Sequence, residues 1–384
     1  MSRSVVILTG EASGDLYGAD LALSLRARFP DLALHGVGGA RMQAAGVHLI
    51  ADSRAWGAIG VMESVKVAPK VLLAFQQVKR FLRRARPDLV VPIDFGAFNV
   101  PLSCWAKAHG MRVAYYIPPG SWRRERQGAD LPRCTDCVLT PFEWSAAQLT
   151  AMGAHAHWTP HPLLRLARPS EPKEAFCERL GIDPYRPIVA LLPGSRRHEA
   201  RALTPLYARV ADQLYRTMPE AQFVISVAPH FSPDWINALW ADGSKQWVPT
   251  ETRSVWNLLA HADAAIVCSG TATLEAALLG APMLIVYRGD WLMNLEYRLR
   301  RRRLNLRWIG LPNLILQRDV CPEFIQEAAS PEALTHALLP LLHDAAAREA
   351  QLQAFHEIRQ ALGDGRDLRE AHEWLAEWLE KVGE

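Results

Sequence analysis

Short aliphatic runs recur along this chain, each followed by a tight polar turn and then by a stretch with helical spacing. That alternation constrains the fold more than any single motif, because it describes parallel strands covered on both faces by helices. The first half predicts strands around Val5–Leu8, Leu32–Val37, Leu89–Ile93, Val113–Tyr116 and Cys137–Leu139, with helices including Leu16–Arg28, Pro69–Arg86 and Val100–His109. A second series predicts strands near Ile188–Leu192, Gln222–Val227, Ala264–Val267 and Met283–Val286. Between the two lies the proline-rich stretch "HPLLRLARPSEPKEAF", which reads as a linker. The expectation is α/β, with two doubly wound Rossmann-like domains: residues 1–166, residues 167–365, and a C-terminal helix over 366–384 that packs on the first domain or on a partner subunit. The length of 384 residues suits two domains.

Composition narrows the class further. Hydrophobic residues at 49% and charged residues at 22% exclude disorder, and a net charge of +3 does not point to nucleic acid. No apolar run reaches the roughly 18 residues of a membrane-crossing helix. The apolar start stops too soon at an acidic turn to be a signal peptide. Six cysteines in this length do not form a disulfide framework, and the lone Cys134-Thr-Asp-Cys137 reads as core packing rather than as a metal or redox site. The cytoplasm is the expected compartment.

In doubly wound sheets ligands bind beyond the carboxyl ends of the strands, so the turns there hold the candidates. After Ile188–Leu192 comes Pro193-Gly194-Ser195-Arg196, a turn into a helix where free N–H groups and guanidinium charge act together on an anion, with Arg suited to a bidentate grip on a diphosphate. After Ala264–Val267, Ser269-Gly270-Thr271 opens another helix. Glu275 follows one turn later, placed to accept both hydroxyls of a ribose. Together these describe a nucleoside-diphosphate site. After Leu89–Ile93, Asp94 stands at the strand tip with Asn99 beyond it. A carboxylate there can take a proton from an attacking hydroxyl, or it is an ordinary turn aspartate bonded to backbone.

The first turn, Gly10-Glu11-Ala12-Ser13-Gly14-Asp15, breaks the pattern: a glycine-rich strand-to-helix turn usually cradles phosphate, yet this one carries two carboxylates. Either Asp15 caps the helix and the glycines shape the turn, or the carboxylates accept hydrogen bonds from a hydroxyl-bearing ligand. "GVGGARMQAAG" resembles a dinucleotide fingerprint but has Arg41 where the third glycine belongs. There is no Walker lysine motif, no H-E-x-x-H and no G-x-S-x-G, and nothing calls for a metal or cofactor. Basic residues cluster in two places, at Lys79, Arg80, Arg83, Arg84 and Arg86, and at Arg298 and Arg300 to Arg303 among Trp, Leu and Tyr. Such clusters are solvated helix faces or sites for an anionic membrane surface. No RNA motif accompanies them.

These segments resemble the lipid-A-disaccharide synthase family, inverting glycosyltransferases with the GT-B fold, whose two domains face a cleft. The similarity runs through "GEASGDLYGADL", "GVGGARMQAAG", "WGAIGVMESV", the Asp94/Asn99 turn, "LLPGSR", "SGTATLEAALLGAPMLIVYR" and "LPNLILQRDVCPEFIQE". The resemblance implies transfer of 2,3-diacylglucosamine from its UDP conjugate to 2,3-diacylglucosamine 1-phosphate, giving a β-1,6 disaccharide and UDP. It implies Asp94 as general base. Arg196, with Gly194 and Ser195, would hold the diphosphate, beside Ser269, Gly270 and Thr271; Glu275 would hold the ribose, and Asn313 would line the donor site. Glu11, Ser13, Gly14, Asp15 and Asn99 would border the acceptor side. It also implies a peripheral protein on the inner face of the cytoplasmic membrane and a homodimer exchanging C-terminal elements. The sequence departs from the family's pattern at Phe95-Gly96-Ala97, at Pro118-Pro119-Gly120-Ser121, and at Pro160-His161-Pro162 with Arg165. These positions fall on the acceptor or linker side, so the alternative is a related UDP-sugar glycosyltransferase with a different acceptor.

Overall fold

A computed structural model describes residues 3–54, 56, 61–120, 128–244, 246–289 and 307–381. The chain divides into two compact units, Met1–Pro162 with Ala361–Glu384, and Leu163–Gln360. The crossing comes at Leu163 and the return at Ala361, both a few residues before the expected boundaries. His161 N–H donates to the Leu362 carbonyl at 3.0 Å, so the segment leaving the first unit is tied to the segment re-entering it.

The first unit is built on β1 (Ser4–Leu8), β2 (Ala33–Gly38), β3 (His48–Asp52), β4 (Leu89–Pro92), β5 (Ala114–Tyr116), β6 (Cys137–Thr140) and β7 (Ala156–Trp158). The strands run parallel in the orders β3-β2-β1-β4 and β5-β6-β7, and bridges at Val90–Val113 and Ile93–Tyr116 link β4 to β5. Val5, Val6, Ile7 and Leu8 are all fully buried, as a strand covered on both faces must be; burying each such side chain is worth about 1.5–3 kcal/mol. Strands β3 and β7 escaped the sequence pattern because β3 is half-exposed and β7 has only three residues, none fully buried.

The helix Val61–Ala85 runs straight through Pro69, where a helix start was expected. Ala74, Val78 and Leu82 form its buried stripe against Val90, Leu102 and Val113, whereas Leu72 is 62% exposed beside Leu73 at 58%. The final helix, Ala371–Glu380, rests on this unit. Arg3 Nε donates to the Leu379 carbonyl at 3.0 Å, Arg28 pairs with Glu380, and Trp374 stacks on His157. Cys134 does not simply pack beside Cys137: it is joined to Cys104, linking the helices Leu131–Cys134 and Gly96–Ala108. Cys137 remains a buried thiol, its pKa pushed up to about 12 by burial and by Asp136.

The second unit carries β8 (Ile188–Leu192), β9 (Gln222–Ser226), β10 (Thr250–Glu251), β11 (Ala264–Cys268), β12 (Met283–Tyr287) and β13 (Glu323–Ile325). They run parallel in the order β10-β9-β8-β11-β12-β13. The helix Arg197–Thr217 lays Leu203, Leu206, Tyr207, Val210 and Leu214 into the core. In each unit the strand order reverses at one place, between β1 and β4 and between β8 and β11. That is the switch point at which crossover connections diverge and leave a crevice for ligands.

Candidate active site

In each unit, turns that carry candidate residues follow the strands at the switch point: β1 and β4 in the first, β8 and β11 in the second. In the first unit, the turn after β1 leads directly into the helix Ala12–Arg28, with Glu11 in extended backbone at its N-cap position. Glu11 and Ser13 are half-buried, Gly14 and Asp15 buried. Asp15 does cap a helix, but not its own. Its carboxylate accepts the backbone N–H groups of Gly39 at 2.6 Å, Arg41 at 3.0 Å and Met42 at 3.1 Å, at the start of the helix Ala40–Ala44. A Cβ on Gly39 would lie 2.8 Å from the same carboxylate. Gly39 of "GVGGARM" therefore makes room for an aspartate, and Asp15 has a structural part in holding the start of the helix Ala40–Ala44.

Asp94 follows β4, and its backbone is left-handed at φ +45, as is that of Phe95. Non-glycine residues held there cost about 1–3 kcal/mol each. Phe95 lays its ring against Gly10, whose missing Cβ would sit 2.1 Å from it, so the two first-unit turns are fitted to each other. Asn99 is fully buried, and its amide nitrogen donates to the carbonyls of Leu8, Ile93 and Asp94 at 3.0–3.1 Å. It thereby holds the turn. Burial, with Glu11 second, pushes the Asp94 carboxyl up to about 6. Sequence reasoning missed Tyr115, whose hydroxyl donates to the Asp94 carbonyl at 2.7 Å; nothing in the local pattern of a short buried strand marks it. Two departures from the family pattern also meet here, since a Cβ on Gly96 would lie 2.8 Å from Pro119. Ser121 lies outside the described residues.

In the second unit, Gly194 takes φ +95 and its open side is filled by Glu199, 2.5 Å from where a Cβ would stand. Glu199 is 3% exposed. It accepts hydrogen bonds from the Arg196 N–H at 3.2 Å and from the Arg196 Nη1 at 2.9 Å, at the start of the helix Arg197–Thr217. The arginine is thus anchored through a buried carboxylate, while its side chain stays 28% exposed.

Ser269 donates from Oγ to the Ile309 carbonyl at 3.0 Å, and Gly270 at φ +153 precedes the helix Thr271–Leu278. Thr273 Oγ1 donates to the Gly270 carbonyl and accepts the Leu311 N–H, which ties this turn to the helix Leu311–Leu316. Glu275 is half-buried on the same short helix. Asn313 is 1% exposed. Its Nδ2 donates to the Cys321 carbonyl and to Glu323, and its Oδ1 accepts the N–H groups of Val320 and Cys321, each at 2.8 Å. With its amide so engaged, Asn313 shapes the loop from Val320 to Glu323. Glu323, unread in the sequence, accepts the N–H groups of Ile309 and Gly310 at 2.9 Å and is raised in pKa chiefly by burial.

A model of the lipid-A-disaccharide synthetase family matches residues 5–377. The chain belongs to that family. The lipid-A-disaccharide synthase of Trichlorobacter lovleyi is 35% identical over 94% of each chain, and that of Myxococcus xanthus 33% identical over 98% of this chain and 97% of the relative. Among solved structures, a UDP-GlcNAc 2-epimerase from Neisseria meningitidis bound to UDP-GlcNAc aligns with TM-score 0.58 at 13% identity, covering 99% of this chain and 100% of that one. MurG of Acinetobacter baumannii aligns with TM-score 0.55 at 15% identity over 99% of each chain. These distant likenesses establish the fold, and the family membership makes the chain a GT-B glycosyltransferase of lipid A disaccharide synthesis.

Proposed function

We propose that this family member transfers 2,3-diacylglucosamine from UDP-2,3-diacylglucosamine to the 6-hydroxyl of 2,3-diacylglucosamine 1-phosphate, with Asp94 as general base. The observation that carries this reading is the Asp94 carboxyl at a switch point, raised to about 6 by burial and by Glu11. A base with that proton affinity is ionised at neutral pH yet still basic enough to take a proton in the transition state. The acceptor hydroxyl loses its proton to Asp94, its oxygen bonds to the sugar's C1 with inversion, and the C1–O bond to UDP breaks. Arg196 and the N–H groups opening the helices Arg197–Thr217 and Thr271–Leu278 neutralise the leaving diphosphate. Glu275 accepts the ribose hydroxyls.

An anionic bilayer surface is the proposed source of the acylated substrates, on the inner face of the cytoplasmic membrane. Among the described residues no helix is long and apolar enough to cross a membrane. The helix Val61–Ala85 instead presents exposed Leu72 and Leu73 with Arg80, Arg83 and Arg84, a combination suited to lying on anionic headgroups. The second basic cluster, Arg298 and Arg300 to Arg303, lies outside the described residues.

The test is incubation with both acylated substrates and mass analysis. Disaccharide 1-phosphate with stoichiometric UDP supports the reading; UDP formation only with another sugar acceptor replaces it with the second one. That second reading, a different acceptor, draws on the paired Gly96–Pro119 departure beside Asp94.

A further inference from the structure

We infer that Tyr115 is a positioning residue for the transfer reaction: its buried hydroxyl, together with the Asn99 amide, holds the Asp94 turn in left-handed backbone and so aims the Asp94 carboxylate. The inference rests on Asp94 being the base. Of the non-glycine residues in left-handed backbone, Arg86, Gln317 and Gln326 stand apart, whereas Asp94, Phe95 and Ile117, at φ +45, +45 and +50, meet at this one place. Asp94 N–H donates to the Ile117 carbonyl at 3.1 Å, so the ends of β4 and β5 are stitched together in the conformation each residue resists. Strain concentrated this way persists only where the surroundings over-determine it.

The surroundings that do so are few. On the Asp94 carbonyl converge Tyr115 Oη at 2.7 Å and Asn99 Nδ2 at 3.0 Å. Asn99 also spans to Leu8 and Ile93, which fixes the turn relative to β1 and β4. Tyr115 is fully buried on β5, so its ring cannot swing aside and its hydroxyl arrives on a rigid strand. The titratable groups facing Asp94 are Glu11, from the turn after β1, and Tyr115 itself; the Gly96–Ala108 helix contributes the uncharged Asn99. Burial and the Asp94 charge push the Tyr115 phenol well up, so it serves as a neutral donor throughout the working pH range.

Tyr115→Phe removes one oxygen and keeps the ring. Because an ångström-scale misplacement of a catalytic group costs up to about 100-fold, we expect kcat to fall about 10- to 100-fold while the KM for the UDP-sugar stays unchanged. The acid limb of the pH–rate profile should move below about 6 as the loosened carboxylate regains water. A wild-type kcat with the limb in place overturns the inference, as does a raised donor KM at unchanged kcat. If Tyr115→Phe melts early, kcat per folded molecule, measured well below its thermal midpoint, decides: a wild-type value overturns the inference. Should Asp94→Asn stay active, the base assignment fails instead; an inactive Asp94→Asn beside a fully active Tyr115→Phe sinks only the role of Tyr115.

Discussion

At the β1–β4 switch point the turns carry Glu11 and Asp94; at the β8–β11 switch point they carry Arg196 and the N–H groups of two helix starts. Both sites use the same backbone device, a strand ending at a tight turn into a helix, and by itself that device favours an anion. The side chains decide the outcome. In the first unit Glu11 faces Asp94 and raises its pKa, so a charge-averse crevice results, suited to hydroxyls and to a proton acceptor. In the second unit the carboxylate beside Arg196, Glu199, is buried and anchors it. One architecture thus places a carboxyl of raised proton affinity in one copy and an anchored guanidinium in the other, the contrast on which the proposed base and anion grip rest.

The strongest challenge to this contrast is Asp94→Asn, expected to lower transfer by about 10²–10⁴-fold while UDP binding, followed by calorimetry, is retained. The same variant should gain stability. Asp94 binds its proton more tightly folded, near 6, than at its ordinary 3.8, so the native state is increasingly disfavoured as pH rises through that window. Removing the charge should therefore raise the thermal midpoint at neutral pH by the equivalent of about 1–2 kcal/mol. A lower midpoint contradicts the assigned environment.

Arg196→Ala is expected to cost about 10²–10³-fold in turnover with weaker UDP binding, and Arg196→Lys should restore little because an ammonium lacks the bidentate fork. Wild-type UDP affinity in Arg196→Ala would remove the anion grip from the second unit. Glu11→Gln tests the electrostatic coupling: with a like charge gone, the acid limb of kcat/KM should shift to lower pH, and an unmoved limb means Glu11 does not reach Asp94. Asp15→Asn should read first in the melting curve, by about 1–3 kcal/mol, because three backbone donors, two of them buried, lose a charged acceptor. The smallest effect is on the basic helix, where each of Arg80→Gln, Arg83→Gln and Arg84→Gln should weaken binding to anionic vesicles by about fivefold.

Much of this was legible before any coordinates. The alternation of apolar runs and helices predicted the strands buried on both faces, because residues such as Val5–Leu8 must then be continuously apolar; half-exposed β3 was missed. Turn chemistry marked Asp94, Arg196 and Ser269–Thr271, since a strand tip followed by a helix start has a known polarity. Short strands such as β10 and β13 were missed because two or three residues carry no periodicity. Asp15, Asn99 and Asn313 were placed in the site by motif and proved to bind backbone, for a motif records that a polar side chain is needed without recording what it touches.

The sequence alone determined the two-unit α/β plan, the family and the location of the chemistry at strand ends, because these follow from burial patterns and local turn geometry that a linear chain displays. Tertiary structure decided which polar side chains are bound by distant parts of the chain. Only in three dimensions does Asp15 meet the N–H groups of Gly39–Met42, Tyr115 reach Asp94, and Glu323 gather Ile309, Gly310 and Asn313. Those partners lie from ten to twenty-seven residues apart, and hydrogen bonding depends on distance in space, which no local pattern of residues encodes.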